Sequence, residues 1–94
     1  MARAHARHIL VKNKEACEKL KIEIEKGADF GQMAQKHSAC PSGKKGGDLG
    51  EFRRGQMVKE FDEAVFTGEV GKVLGPVQTQ FGFHLIEVIG RHED

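Results

Sequence analysis

The sequence has 94 residues, with 15 lysines and arginines against 14 aspartates and glutamates, and it contains two cysteines. A chain of this length builds one modest core, so we expect residues 1–94 to form a single domain. The nearly balanced charge excludes the basic surface that a nucleic-acid-binding protein uses. The two cysteines are too few for a disulfide scaffold, and they lack the spacing of metal ligands.

Apolar residues do not accumulate in the chain to the extent that a membrane span requires, which is about 18 to 20 consecutive residues. The first residues also lack the apolar stretch of a secretory signal. We therefore expect a cytoplasmic protein that binds no membrane. Its small size and balanced charge predict a monomer.

The first half of the chain predicts one strand and two helices. Residues 5–11 end in the apolar run Ile9-Leu10-Val11, whose β-branched content favours a buried strand. Over residues 14–26, apolar residues recur at helical spacing among lysines and glutamates, and a glycine ends the pattern. Asp29 then resembles a helix N-cap, with Gln32 three residues later, so a second and shorter helix follows.

A glycine-rich segment occupies residues 41–50. It predicts a structured loop, because it is short and has apolar residues on both sides, and it lacks the spacing of a phosphate-binding Walker loop. We expect its glycines to permit a tight backbone path that brings Leu49 and Phe52 to the rim of a site. Asp48 is expected to brace this loop through a backbone hydrogen bond.

The second half of the chain predicts one helix and a hairpin. Phe61, Ala64 and Val65 share one face of the third predicted helix. Residues 76–79 and 83–89 have the character of strands joined by a turn at residues 80–82. A tight turn makes this pair antiparallel, which together with the helices predicts an α+β domain in which helices pack on the sheet.

Two histidines on predicted strands are candidates for a site. His8 and His84 occur in the similar strings His8-Ile-Leu-Val and His84-Leu-Ile-Glu-Val, near opposite ends of the chain. If the two strands are neighbours, the imidazoles can meet, with Leu10 on the face of His8 and Ile86 on the face of His84. The alternative is that each histidine is a hydrogen-bonded core residue.

Six segments of the chain together resemble the parvulins, a family of peptidyl-prolyl cis/trans isomerases, and in particular the small single-domain bacterial parvulins. The segments are His8-Ile-Leu-Val, residues 30–38, residues 42–52, Gly55-Gln-Met, Phe61 and residues 79–84. They extend over essentially the whole chain, which makes a chance match hard to credit.

The resemblance implies a four-stranded antiparallel sheet surrounded by about four helices, as in parvulin and FKBP-like domains. It implies an enzyme that accelerates rotation about Xaa-Pro bonds in peptides and in unfolded or partly folded proteins, without a cofactor. The site residues that it implies are His8, Cys40, Leu49, Met57, Phe61, Thr79, Phe81 and His84.

The apolar members of this set are suited to hold a pyrrolidine ring, although ordinary core packing is the alternative for each of them. They are Leu49, Met57, Phe61 and Phe81. Thr79 would place its hydroxyl in the polar network of the two histidines, unless it is simply a strand-forming residue. Gln56, next to Met57, either contacts the substrate backbone or faces solvent.

Cys40 has two candidate roles. Its thiolate could attack the amide carbonyl, or its sulfur could act as a hydrogen-bonding and electrostatic group that stabilises the twisted amide. We favour the noncovalent role, because related parvulins carry Asp at the matching position and Asp is a poor substitute for a nucleophilic thiol. Cys17, by contrast, lies on an amphipathic predicted helix and is expected in the core.

The resemblance also bears on specificity. Parvulins that select a phosphorylated residue before proline use a basic cluster on a long loop after the first strand. Here that connection spans only residues 12–14, so we expect no phosphate specificity, and Phe81 in the hairpin turn predicts a preference for hydrophobic residues before proline. Two other functions stay open, which are a peptide-binding or chaperone module without turnover and a cysteine hydrolase built on Cys40.

Overall fold

Residues 2–92 are the part of the chain that this computed structural model describes, and they fold into four strands, three α-helices and one short 3₁₀ helix. In chain order the elements are β1 (Arg3–Val11), α1 (Lys14–Glu25), α2 (Phe30–His37), the 3₁₀ helix (Pro41–Lys45), β2 (Asp48–Arg53), α3 (Lys59–Thr67), β3 (Val73–Thr79) and β4 (Gly82–His92). This architecture confirms the expected α+β class with four strands and about four helices.

The four strands form one antiparallel sheet in the order β2-β1-β4-β3. Its central pair, β1 and β4, sets His8 opposite Ile86 and Leu10 opposite His84. Because side chains two residues apart on a strand point to the same face, His8 and His84 are diagonal neighbours on one face of the sheet. The strands that carry the two histidines are therefore adjacent, as their similar strings predict.

Helices cover both faces of the sheet and divide the core into two clusters. The cluster beside α1 and α2 consists of Ile9, Val11, Cys17, Leu20, Phe30, Ala34 and Leu85. The cluster beside α3 consists of Ala4, Ala6, Phe52, Phe61, Val65, Phe66, Ile86 and Val88. The predicted core position of Cys17 is confirmed, since this residue is fully buried.

The starts of α1 and α2 follow from their capping residues. Asp29 Oδ2 accepts the Gln32 N–H at 2.9 Å, as the sequence predicts, and Asn13 Oδ1 accepts the Ala16 N–H at 3.1 Å. Each bond satisfies a backbone donor that the first turn of a helix leaves without an intrahelical partner. None of the helices within residues 2–92 has the length and apolar character needed to cross a lipid bilayer.

Two predicted segments differ from the structure at the edges of the sheet. The glycine-rich segment is not one loop, because it forms the 3₁₀ helix and then enters β2. Gly50, with a φ of 71°, interrupts the alternating pattern that would have indicated this strand. β3 begins at Val73 rather than at residue 76, since an edge strand tolerates the Gly75-Pro76 pair that resembles a boundary in the sequence.

The entry into β2 is fixed by a close backbone contact with β1. The His8 N–H donates to Gly47 O at 3.0 Å, and a Cβ atom at Gly47 would lie 2.3 Å from His8 O. With a φ of 84° as well, this position accepts only glycine. Asp48 braces the segment as predicted, since its Oδ1 accepts the Gly50 N–H at 2.9 Å. Together with a bond to His5, this contact holds the pKa of the Asp48 carboxyl below its usual value.

Candidate active site

A row of five hydrogen-bonded side chains crosses the face of the sheet that α3 covers. We call it the polar row, and its members in order are Thr79, His84, His8, Ser42 and Cys40. The distances along the row are 2.7 Å from Thr79 Oγ1 to His84 Nε2, 3.0 Å between the two histidine Nδ1 atoms, 3.1 Å from His8 Nε2 to Ser42 Oγ, and 3.3 Å from Ser42 Oγ to Cys40 Sγ. The two imidazoles can meet because His8 and His84 are diagonal neighbours on the adjacent strands β1 and β4.

Both imidazoles in the row are neutral near pH 7. Burial, and then the nearby His84, lower the pKa of His8 to about 4, and burial also lowers the pKa of His84. A neutral imidazole has one donor nitrogen and one acceptor nitrogen. Since the two Nδ1 atoms share one hydrogen bond, one of them carries its proton there and the other does not, so the two histidines are different tautomers.

The remaining bonds assign the direction of the row. With the Ser42 hydroxyl donating to Cys40 Sγ, Ser42 Oγ accepts from His8 Nε2, and His8 Nδ1 then accepts from His84 Nδ1. His84 Nε2 is left to accept from the Thr79 hydroxyl, whose oxygen accepts the Phe81 N–H at 3.1 Å. Every member of the row is therefore satisfied, and the row ends on the sulfur of Cys40.

A groove of about 390 Å³ opens beside the polar row. It is lined by His8, Leu10, Ala39, Cys40, Pro41, Leu49, Met57, Val58, Phe61, Phe81 and His84. Apart from the two imidazoles and the thiol, these side chains are apolar. The groove therefore has an apolar wall against which a ring-sized apolar group can pack, and the polar row lies along one side of it.

Phe61 forms the floor of the site. It is 3% exposed, and its ring stands nearly perpendicular to both imidazoles, with centroid distances of 5.4 Å to His8 and to His84. Phe61 is thus a core residue and a groove residue at once, because it supports the stacked imidazoles from below. Leu49 and Met57 are half-buried on the walls and remain reachable by a ligand.

Phe81 stands at the mouth of the groove in the two-residue turn between β3 and β4. Its side chain is half-exposed, and its backbone is held on both sides, since the Phe81 N–H donates to Thr79 and its carbonyl accepts from Lys12 Nζ at 3.1 Å. The turn that carries this aromatic ring is thus tied directly to the polar row.

The structure separates the two alternatives for Gln56 and contradicts the expectation for Phe52. Gln56 is exposed and does not line the groove, because its Oε1 accepts the Arg53 N–H at 2.6 Å and the residue lies beside Arg3 and Glu51 on another part of the surface, which agrees with the solvent-facing alternative. Phe52 does not reach the rim, since it is 5% exposed and packs in the core beside α3. The Gln56 side chain is held by a hydrogen bond to a residue nearby in the chain, and the Phe52 side chain is held by core packing against the sheet.

Ser42 is the site residue that the sequence interpretation missed. It joins His8 to Cys40, so the imidazole and the sulfur are not direct neighbours in the row. The spacing of Cys40 and Ser42 across Pro41 accounts only for their mutual contact, since Pro41 begins a 3₁₀ turn that brings the hydroxyl back toward the sulfur.

Comparison with known proteins relates this arrangement to a family. A family model described as the PPIC-type PPIase domain matches residues 1–92. The foldase protein PrsA of Geobacillus sp. (strain WCH70) is 45% identical over 89 residues, which are 94% of this chain and 32% of that protein. The crystal structure of peptidylprolyl isomerase (PrsA) from Bacillus anthracis matches with a TM-score of 0.94 and 34% identity, covering 98% of this chain and 43% of that chain.

A second solved structure matches along almost its whole length. The solution structure of NmPin, the parvulin of Nitrosopumilus maritimus, has a TM-score of 0.86 and 35% identity, covering 96% of this chain and 98% of that chain. The chain belongs to the parvulin family and carries its PPIC-type PPIase domain. It spans about a third of the length of the curated foldase relatives that it matches.

Proposed function

We propose that this domain catalyses cis/trans isomerisation of Xaa-Pro bonds in polypeptides. The observation that carries the proposal is the apolar groove that ends on the polar row, with neutral imidazoles behind an accessible cysteine. Family membership supports it, and a PrsA structure among the relatives is described as a peptidylprolyl isomerase.

The chemistry needs no covalent change in the substrate. Rotation about a peptide bond has a barrier of about 18 to 20 kcal/mol because the C–N bond has partial double-bond character. In the groove, the pyrrolidine ring packs against Leu49, Met57 and Phe61, which removes water that would favour the planar amide. A group that stabilises the twisted amide then accelerates both directions equally.

We assign Cys40 a noncovalent role in this process. The hydrogen bond that reaches its sulfur comes from Ser42, and the His8 imidazole lies one residue further along the row. A nucleophilic cysteine is activated by a base in direct contact with it, so the inserted hydroxyl favours the electrostatic role.

The proposed substrates have a hydrophobic residue before proline and carry no phosphate. Phe81, Ala39 and Pro41 make the mouth of the groove apolar, and the connection between β1 and α1 is only two residues long. Given the foldase names of its relatives, we propose unfolded or partly folded chains as clients. The monomeric state and the cytoplasmic location stay predictions.

The test is exchange spectroscopy on a panel of short Xaa-Pro peptides with catalytic amounts of the protein. We expect accelerated exchange without cleavage, fastest for Xaa of Leu or Phe and not enhanced by phosphoserine. Chemical-shift changes without accelerated exchange would indicate a peptide-binding module without turnover. Cleavage of the peptide would indicate a hydrolase.

A further inference from the structure

Asp62 is a buried carboxylate outside the polar row. It is 8% exposed, and it does not line the groove. The other buried polar residues within residues 2–92 are His8, Thr79 and His84, and all three belong to the row. Burial of a carboxylate is costly unless hydrogen bonds and an opposite charge compensate for it, so the partners of Asp62 indicate what it is for.

Those partners all lie in the turn between β2 and α3. Asp62 Oδ1 accepts the Gly55 N–H at 2.7 Å, and Asp62 Oδ2 lies 3.7 Å from Arg54 Nε. The Arg54 guanidinium is itself held over the Phe66 ring, 5.5 Å from its centroid. The carboxylate thus connects the first turn of α3 to the backbone that precedes it.

This turn, residues 54–58, carries part of the groove wall. Met57 and Val58 both line the groove, and Gly55, whose φ is 90°, is two residues before Met57. At the start of α3, Val58 provides no side-chain cap. The hydrogen bond that the Gly55 N–H donates to Asp62 therefore holds the turn at its left-handed glycine, where the chain changes direction toward Met57.

We propose that Asp62 is a positioning residue for substrate binding, which acts by fixing the turn so that Met57 is held against the groove. The expected effect on peptide binding rests on the proposed function, in which Met57 is part of the groove wall that contacts the proline ring. Since Asp62 touches neither the polar row nor the substrate site, it affects the affinity for peptide and leaves the turnover step unchanged.

The experiment compares three variants in the full chain. Asp62→Ala removes the acceptor for Gly55, whereas Asp62→Asn keeps an amide oxygen in the same place. Asp29→Ala is the matched control, because Asp29 also gives one carboxylate oxygen to one backbone N–H, at the start of α2 and away from the groove. The readouts are KM and kcat for a Leu-Pro peptide and the methyl resonance of Met57, with the Met33 methyl as internal reference.

We expect Asp62→Ala to raise KM by about tenfold, which corresponds to about 1.4 kcal/mol of binding free energy, with kcat changed less than about twofold. The Met57 methyl resonance shifts and that of Met33 does not. Asp62→Asn keeps both values near those of the wild type, and Asp29→Ala lowers stability without changing KM or the Met57 resonance.

Two results would overturn the proposal. One is a folded Asp62→Ala protein with unchanged KM and an unmoved Met57 resonance. The other is an Asp62→Asn protein in which KM rises about tenfold, and this variant decides the question even if Asp62→Ala does not fold. The Met57 resonance can be measured without any isomerase activity. A wild-type protein that fails to isomerise peptides would therefore refute the proposed function, and the Met57 resonance would still test whether Asp62 positions Met57.

Discussion

His8 and His84 meet through their Nδ1 atoms at 3.0 Å, with their rings stacked at an interplanar angle of 15°. This contact exists only while both rings are neutral or share a single proton, because two Nδ1–H groups would face each other if both were protonated. This contact therefore depends on the protonation state of the two histidines.

The first prediction concerns stability against pH. The pKa of His8 is lowered from 6.5 to about 4 on folding, so the unfolded chain binds more protons between these values and stability falls as the pH drops through this window. At 1.36 kcal/mol per unit of pKa, the loss is about 3 kcal/mol by pH 4. Urea unfolding at pH 7, 6, 5 and 4 measures it, and a free energy of unfolding that is flat between pH 7 and 5 would contradict the assignment.

The second prediction concerns Thr79, which joins the row to the turn that carries Phe81. Thr79→Val keeps the shape and removes the hydroxyl, leaving His84 Nε2 and the Phe81 N–H without this partner. We expect unfolding free energy to fall by about 1 to 3 kcal/mol and kcat/KM to fall by about tenfold. Thr79→Ser restores the hydroxyl and should restore most of both, whereas equal losses in the two variants would show that the methyl group matters instead.

The third prediction separates the two roles of Cys40. If the sulfur acts electrostatically, Cys40→Asp keeps kcat/KM within about fivefold of the wild type, while Cys40→Ala lowers it by about tenfold to hundredfold. Peptide exchange rates measure both. A Cys40→Asp protein as inactive as the His8→Ala/His84→Ala double variant would contradict the electrostatic role and argue for the nucleophilic one.

The fourth prediction concerns the reactivity of the two thiols. Cys40 lines the groove, whereas Cys17 is fully buried, and burial together with Glu18 raises the pKa of its thiol to about 11. Iodoacetamide should therefore modify Cys40 first, and a saturating Leu-Pro peptide should slow that reaction. Mass spectrometry of the alkylated protein measures it, and unchanged alkylation in the presence of bound peptide would place the peptide elsewhere.

The fifth prediction concerns the mouth of the groove. Phe81→Ala should raise KM about threefold to tenfold for Leu-Pro and Phe-Pro peptides and have little effect on Glu-Pro peptides, because it removes an apolar contact. Ile22→Ala is the matched control, since Ile22 is 51% exposed against 50% for Phe81 and lies on α1 outside the groove. Equal effects on all peptides would remove Phe81 from the specificity site.

The sequence predicted those parts of the fold in which the local residue pattern favours the same secondary structure that the tertiary structure adopts. The strand that carries His8 and the Asp29 cap are examples, because apolar periodicity and capping chemistry are local properties. β2 was missed because Gly50 breaks its alternation, and it is the pairing with β1 that makes it a strand. Residue spacing alone could not place Ser42 between His8 and Cys40, because that contact depends on how the 3₁₀ turn lies against β1.

Gln56 is a residue for which proximity in the sequence did not predict proximity to the groove. Its position next to Met57 in the sequence made it a candidate for substrate contact, but the turn that points Met57 into the groove points the Gln56 amide back to Arg53. Neighbouring residues in a turn commonly face opposite directions, and this orientation is decided by hydrogen bonds such as the one that the Gly55 N–H donates to Asp62.

The most direct test of the central claim is the exchange rate between the cis and trans forms of one Leu-Pro peptide, measured by NMR exchange spectroscopy with the protein at a small fraction of the peptide concentration. Noncovalent isomerase activity predicts that the forward and reverse rates rise by the same factor, that the peptide stays intact, and that Cys40→Asp retains the effect. Unchanged exchange rates under conditions where the peptide visibly binds would contradict it.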